Sequence, residues 1–378
     1  MDSLLIYGSY GYTGRLIARE AVSRGGSPVV AGRNGRAVSR QADELGVEGR
    51  TFALTDGDEV AAHLRSFDAV LNCAGPFVNT VDPLVDACLE SDTHYLDISG
   101  EFQAFERLRR RDDAAREAGI TLLPGVGFDV VPTDCLAAFL HAQLPDATAL
   151  SLGIKGGGGL SRGTARTLVE HLGDDGVVRR NGRLIKVPMA YRTREIDFGD
   201  GPEHAVTIPW GDVVTAAHST GIDSIEVYAA APSWATRALS AVDSLGWLLE
   251  RRPVEAALKR LVDARLDGPD DAARSTGAAT VWGEAVDEAT GRRVRARLRT
   301  PEPYALTAEA AVSAAERVID GGKRSRSRTR NRLPAGFQTP SSAFDSEFVL
   351  ELAGTERELL EAPTESADPQ RSTLESDD

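Results

Sequence analysis

A chain of 378 residues is longer than one ordinary domain, and two is the natural expectation. Its 42% hydrophobic and 26% charged residues suit a folded core, and 43 basic against 57 acidic residues leave a formal charge of −14 that disfavours a nucleic-acid ligand. Every long apolar stretch carries a charge, and Cys73, Cys88 and Cys135 form no CxxC pair or zinc spacing; a transmembrane segment, a disulfide framework and a metal are not expected.

Taken in order, the pattern opens with a strand over 4–7, which leaves no room for a signal peptide, and the expected location is cytoplasmic. A helix over 13–24 follows, closed by Gly25 and Gly26, then a strand at 28–31, a helix at 36–45, a strand at 51–54 and a short helix at 59–64. The apolar strand 68–73 runs into Ala74, Gly75 and Pro76. A helix at 83–89, a strand at 94–98, a long helix at 102–118 and a strand at 120–123 complete the alternation. Repeated β-α-β units with short connections predict an α/β fold, with an N-terminal Rossmann doubly wound parallel sheet over residues 1–128.

Beyond residue 128 the rhythm changes. A helix from Pro132, a strand at 149–154, a glycine run at 156–159 and a hairpin pairing 280–286 with 293–300 predict a second, α+β substrate domain over 129–302. Residues 303–360 read as a C-terminal helix, centred on 307–320, and a strand returning to the body. Residues 323–332 read as a solvated arginine-serine loop, and 361–378 as a disordered acidic tail.

The strongest motif is Gly8-Ser9-Tyr10-Gly11-Tyr12-Thr13-Gly14, directly after the first strand and opening the first helix. Glycines there let backbone N–H groups approach a pyrophosphate at a helix N-terminus. Gly8, Tyr10, Gly11, Tyr12, Thr13 and Gly14 are therefore cofactor-binding candidates. After the second strand, an NAD site places Asp or Glu on the ribose, whereas here Gly32 is followed by Arg33 and Asn34. A small residue and a guanidinium suit a 2′-phosphate, so NADP is the expected cofactor. Asp56 is expected near the adenine, and Cys73, Ala74, Gly75 and Pro76 near the nicotinamide ribose.

Short-chain dehydrogenases use a similar glycine turn, but need a lysine four residues after a tyrosine. Tyr95, Tyr191, Tyr228 and Tyr304 are followed at that spacing by Ser99, Glu195, Pro232 and Ala308. The chain instead resembles the saccharopine dehydrogenase-like oxidoreductases, in particular the trans-acting enoyl reductase branch. The likeness rests on the glycine turn, on Asn72 to Phe77, on His94-Tyr95-Leu96-Asp97-Ile98-Ser99-Gly100-Glu101, on Gly125 to Asp134, on Gly163-Thr164-Ala165, on Gly268-Pro269, on Tyr304 to Thr307 and on Gly336 to Pro340. That resemblance implies a Rossmann domain, an α/β substrate domain and NADP-dependent redox chemistry.

Hydride transfer from NADPH leaves the acceptor needing a proton. Tyr95 at a strand end, Asp129 at the domain junction and Lys155 before the glycine run are the catalytic candidates, with Asp97, Ser99, Glu101 and Asp134 beside them. Trp234, Ala238, Val242, Leu245 and Leu249 share a helical face suited to the core, a homodimer, a substrate tunnel or peripheral membrane contact. The leading expectation is an NADPH-dependent enoyl reductase acting on a small-molecule substrate of acyl or isoprenoid type. Saccharopine-type imine reduction, which needs a cationic site such as Arg162 with Arg166, and a non-catalytic NADPH-binding scaffold are the alternatives.

Overall fold

A computed structural model describes residues 3–156, 175–232, 277–324 and 333–363. The first sheet is built from β1 (Leu4–Tyr7), β2 (Val29–Gly32), β3 (Gly49–Thr51), β4 (Ala69–Asn72), β5 (His94–Asp97) and β6 (Thr121–Leu123). A seventh strand, Gly336–Phe337, pairs with β6, and every pairing is parallel. Leu-Leu-Ile-Tyr in β1 and Ala-Val-Leu-Asn in β4 are buried throughout, as a sheet covered on both faces demands. The connections are helices α1 (Tyr12–Ser23), α2 (Gly35–Leu45), α3 (Gly57–Leu64), α4 (Val81–Ser91), α5 (Phe102–Arg109) and α6 (Asp112–Ala118).

Two local expectations shift. The apolar run 51–54 suggests a strand, but β3 is an edge strand that pairs with β2 only over Gly49–Thr51. Phe52, the next residue, is buried and its carbonyl accepts from the Tyr7 hydroxyl at 3.3 Å. The helix expected over 102–118 is two helices. No glycine or proline announces the break; Arg111 leaves the helical path there and its guanidinium meets Asp86 at 2.9 Å.

The second sheet contains β7 (Ala149–Gly156), β8 (Gly176–Arg180), β9 (Arg183–Val187), β10 (Thr193–Asp197), β11 (Pro202–Thr207), β12 (Ser224–Ala230), β13 (Ala278–Val286) and β14 (Arg293–Pro301). Its main path runs β10-β11-β12-β7-β13-β14 and ends on β16 (Glu356–Glu361); β7 and β12 are parallel, and the β8–β9 hairpin joins through β12. The hairpin expected from the sequence is β13–β14. Helix α7 (Val131–Gln143) covers one face, so close that a Cβ on Gly283 would lie 2.5 Å from a methyl of Leu140. Helix α8 (Asp212–Thr220) lies beside α7.

After β14, helix α9 (Pro303–Arg324) crosses back and packs along α1, with Arg24 reaching Glu316 at 3.2 Å. The seventh strand of the first sheet, β15 (Gly336–Phe337), follows, then α10 (Pro340–Phe344). The segment after β14 thus serves both sheets. Among the described residues no helix is long and apolar enough to cross a membrane. Trp234 to Leu249, Arg162, Arg166 and the Gly163 and Gly268 motifs lie outside the described residues.

Candidate nucleotide crevice and its carboxylates

Strand order β3-β2-β1-β4-β5-β6 reverses direction between β1 and β4, which opens a crevice at their carboxyl ends. The glycine turn occupies that point. Gly8 has φ +77°, and a Cβ there would lie 2.8 Å from the Ala74 backbone nitrogen. At Gly14 a Cβ would fall 2.6 Å from the Gly8 carbonyl oxygen, so only glycine lets helix and turn meet. Helix α1 has Gly11 as its N-cap, no side-chain cap and no acidic residue in its first turn. With no side-chain cap and no carboxylate in its first turn, that helix start suits an anion.

A clamp that sequence inspection missed holds this turn. The buried Ser9 hydroxyl donates to Gln41 Oε1 at 2.7 Å, and Gln41 Nε2 donates to the Ser9 carbonyl at 2.9 Å. The Tyr10 ring lies against the β2 terminus, where a Cβ on Gly32 would meet Tyr10 Cε1 at 2.5 Å. Arg33, next in the chain, is exposed and makes no ion pair or side-chain hydrogen bond among the described residues. Asn34 and Asp56 cap α2 and α3, accepting from the N–H groups of Ala37 and Glu59, each at 3.2 Å. A nucleotide contact from either would use its remaining polar atoms. Tyr12 packs edge-on against Tyr304 at 4.9 Å between ring centres, so α9 closes the other flank.

The β4 side is a polar lattice. Asn72, fully buried, accepts from the Ala74 N–H at 3.0 Å and donates to Thr80 Oγ1 at 3.0 Å and to the Tyr95 hydroxyl at 3.2 Å. This fixes the run Cys73-Ala74-Gly75-Pro76, whose Gly75–Pro76 bond is cis and whose residues are half-buried or exposed beside the turn. Burial pushes the Cys73 thiol well up, so it stays protonated. Glu101 Oε1 and Oε2 accept from the N–H groups of Phe77 at 3.0 Å and Val78 at 2.9 Å.

The three catalytic candidates do not converge. Tyr95 is wholly buried in β5, and its hydroxyl donates to Asp97 Oδ2 at 2.9 Å. Burial and the Asp97 charge raise that hydroxyl well above the usual tyrosine range. Asp97 in turn accepts from the N–H groups of Ser99 at 3.0 Å and Gly125 at 2.9 Å, and burial pushes its carboxyl up to about 6. Lys155 follows Ile154 and Leu152, which are buried with the core, so by strand alternation it points to the opposite face of the second sheet. There its ammonium is paired with Glu203 and, at 3.3 Å, with Asp200.

Asp129 differs from both. It sits after β6 against the β5 terminus, where a Cβ on Gly100 would lie 3.0 Å from its Oδ2. Its backbone carbonyl accepts from the Trp210 indole at 2.7 Å. Its half-buried carboxylate has no hydrogen-bond partner among the described residues, and burial, with the Glu101 charge, pushes it up to about 7. Asp134, by contrast, is buried between helices and accepts from the Ser341 N–H at 2.7 Å.

Comparison with known proteins agrees with this architecture. Residues 4–123 match the family described as the saccharopine dehydrogenase NADP binding domain. An Arabidopsis thaliana protein named as a mitochondrial saccharopine dehydrogenase-like oxidoreductase is 32% identical over 148 residues, 35% of this chain and 33% of that protein. A Bos taurus saccharopine dehydrogenase-like oxidoreductase is 29% identical over 151 residues, 35% of each chain. A Mycobacterium tuberculosis protein named as a trans-acting enoyl reductase is 28% identical over 185 residues, 45% of this chain and 44% of that one. The chain thus spans a third to somewhat under half the length of these relatives. Saccharopine dehydrogenase (L-Glu forming) from Saccharomyces cerevisiae shares the fold across 96% of this chain and 100% of its own, with a TM-score of 0.63 at 12% identity.

Proposed function

Because residues 4–123 are a saccharopine dehydrogenase-type NADP-binding domain, we propose that the chain is an NADPH-dependent oxidoreductase that reduces the carbon–carbon double bond of an acyl or lipid-like substrate, with Asp129 as proton donor. The residues suit the cofactor. Gly8 and Gly14 leave room where any Cβ would collide, the N-terminus of α1 is uncapped by side chains, and Arg33, beside the β2 terminus, is a cation with no ion pair among the described residues. Bound NADPH would supply a hydride to the β-carbon of the double bond. Asp129 would give its proton to the α-carbon, collapsing the enolate to the saturated product.

The observation that carries this reading is the Asp129 carboxyl itself. It lies at the carboxyl edge of the sheet, is half-buried, is without a hydrogen-bond partner among the described residues, and titrates at about 7. Such a group holds a proton near neutrality and can release it. Tyr95 is kept as a positioning residue, since its hydroxyl is spent on Asp97. Lys155 is assigned no part, because two carboxylates hold it on the far face.

Imine reduction of the saccharopine type would need a cation to receive a substrate carboxylate. Among the described residues the groups placed against Asp129 are Gly100, Trp210, Glu101 and Asp212, which offer none; Arg162 and Arg166 lie outside them. The enoyl reading also agrees with the name of the mycobacterial relative. The test is NADPH oxidation, followed by absorbance, with an α,β-unsaturated acyl thioester and separately with a 2-oxo acid plus amine. Turnover of the thioester supports the proposal. Turnover of the imine pair alone replaces it with the amino-acid reaction, and NADPH binding with neither reaction leaves a scaffold.

A further inference from the structure

Outside the crevice, α5, α8 and the β8–β9 hairpin line an open cavity of about 500 Å³. Arg109 enters from α5, Arg179 and Arg183 from the hairpin, and His218 from α8. Arg109 is engaged by Glu106 at 3.1 Å. Arg179 gives one N–H to the Val213 carbonyl at 3.3 Å, but its Nε is buried with no hydrogen-bond partner, and it forms no ion pair among the described residues. Arg183 makes neither an ion pair nor a side-chain hydrogen bond among them. Among the described residues Glu106, already paired, is the one carboxylate lining the space; Asp223 lies beyond Gly182, and the charges of Asp134 and Asp112 act on His218 from outside the lining.

Among the described residues three guanidiniums line this space against one carboxylate, in a chain whose net charge is −14. A half-buried cation loses hydration, and a neighbouring like charge adds repulsion; an anion entering the cavity offsets both. Burial holds the Arg179 guanidinium below the usual arginine range, with the Arg109 charge acting the same way and the Glu106 and Asp223 charges opposing it. His218 is pushed down by burial, so its ring is neutral near pH 7 and fits beside the guanidiniums without adding charge.

We infer that this cavity is a second ligand site, binding a small phosphate-bearing anion through Arg109, Arg179 and Arg183. The fork of Arg183, with the N–H groups that Arg109 and Arg179 have left, offers more donors than one planar carboxylate takes, whereas a phosphate presents three terminal oxygens. The volume exceeds that of a bare phosphate, leaving an organic portion to rest on Leu184, Val214 and Ala217. The site is separate from the crevice. Gly211, just before α8, touches the Gly100 carbonyl beside Asp129, and His218 lies seven residues on, about 10 Å along the axis. The inference stands whether or not the chain reduces an enoyl substrate.

The experiment is isothermal titration of the whole chain with pyrophosphate in saturating NADP, so that the phosphate positions of the crevice are filled. One equivalent should bind, and Arg183→Ala and Arg179→Ala should each weaken it by about tenfold or more, the loss of one charge-assisted contact. Arg183 is exposed, so its replacement keeps the fold, and a melting curve checks this. In the absence of NADP, Arg33→Ala should leave the same equivalent in place. Absence of binding at millimolar pyrophosphate, indifference to Arg183→Ala, or loss on Arg33→Ala would overturn the site. Equal affinity for malonate would overturn the phosphate class.

Discussion

Ser9 and Gln41 exchange two hydrogen bonds, of 2.7 and 2.9 Å, and so tie the glycine turn to helix α2. Both side chains are almost wholly excluded from water, so neither bond has a solvent substitute. Replacing Gln41 by leucine should strand the Ser9 carbonyl, leave the hydroxyl only its longer bond to the Ala31 carbonyl, and cost about 1–3 kcal/mol, the penalty for unsatisfied buried polar atoms. Denaturant midpoints check the stability, and NADPH affinity should fall with it because the turn loosens.

Gly8→Ala should act more severely. The alanine would need φ near +77° and would place its Cβ 2.8 Å from the Ala74 nitrogen. Strain of this kind costs about 1–3 kcal/mol before the collision is counted. Fluorescence titration should find NADPH binding lost even where circular dichroism shows a folded chain.

Arg33→Ala should weaken NADPH by about 1–3 kcal/mol while changing NADH little, because the deleted charge-assisted bond belongs to the 2′-phosphate. Parallel titrations of both nucleotides give the ratio directly. Equal weakening of the two would remove Arg33 from the 2′-phosphate site.

Asp129 links pH to both activity and stability. In the proposed role of proton donor it must be protonated, so reduction should decline as pH rises through about 7. Asp129→Asn should lower turnover by about 10²–10⁴-fold with nucleotide affinity kept. For stability, the unfolded carboxyl releases its proton near the ordinary 3.8 and the folded one near 7, so between those values the folded chain binds more protons. Its contribution is therefore present at low pH and lost as pH rises through that window, by up to about 1.4 kcal/mol per pH unit. Urea midpoints of wild type and Asp129→Asn across pH 4–8 should converge at the acid end and separate in favour of the variant at the alkaline end. Asp97, pushed to about 6, adds a smaller loss of the same sign to both proteins.

Tyr95→Phe separates positioning from chemistry. It removes the donor to Asp97 Oδ2 and the acceptor of the Asn72 amide. Stability should fall by about 1–3 kcal/mol. The pH dependence of turnover should keep its midpoint, which a tyrosine acting as the acid would not allow.

The alternating first domain was legible because its signals are local. Buried runs such as Leu4 to Tyr7 are continuous, and Gly8 to Gly14 fall within seven residues. The contacts that shape the site are not local. Ser9 meets Gln41 across 32 residues, and the Trp210 indole meets the Asp129 carbonyl across 81. Lys155 is a catalytic candidate by its place before a glycine run, yet its partners Asp200 and Glu203 come from the turn after β10 and from β11, which sequence proximity does not place beside it. Asn34 and Asp56 were read as ligand contacts, and each also answers the commoner need of a helix start.

Strand β15 bears on the order in which the molecule can be made. Thr121 in β6 donates its hydroxyl to the Pro334 carbonyl, 213 residues further along the chain, and Gly336 and Gln338 complete the pairing. At roughly 5–20 residues per second, a ribosome needs about 10–40 s to deliver that partner. During this interval β6 is the bare margin of an otherwise finished parallel sheet, able to pair with another nascent chain. Yield of folded protein should therefore depend on what shields that margin during synthesis, even where the completed chain is stable.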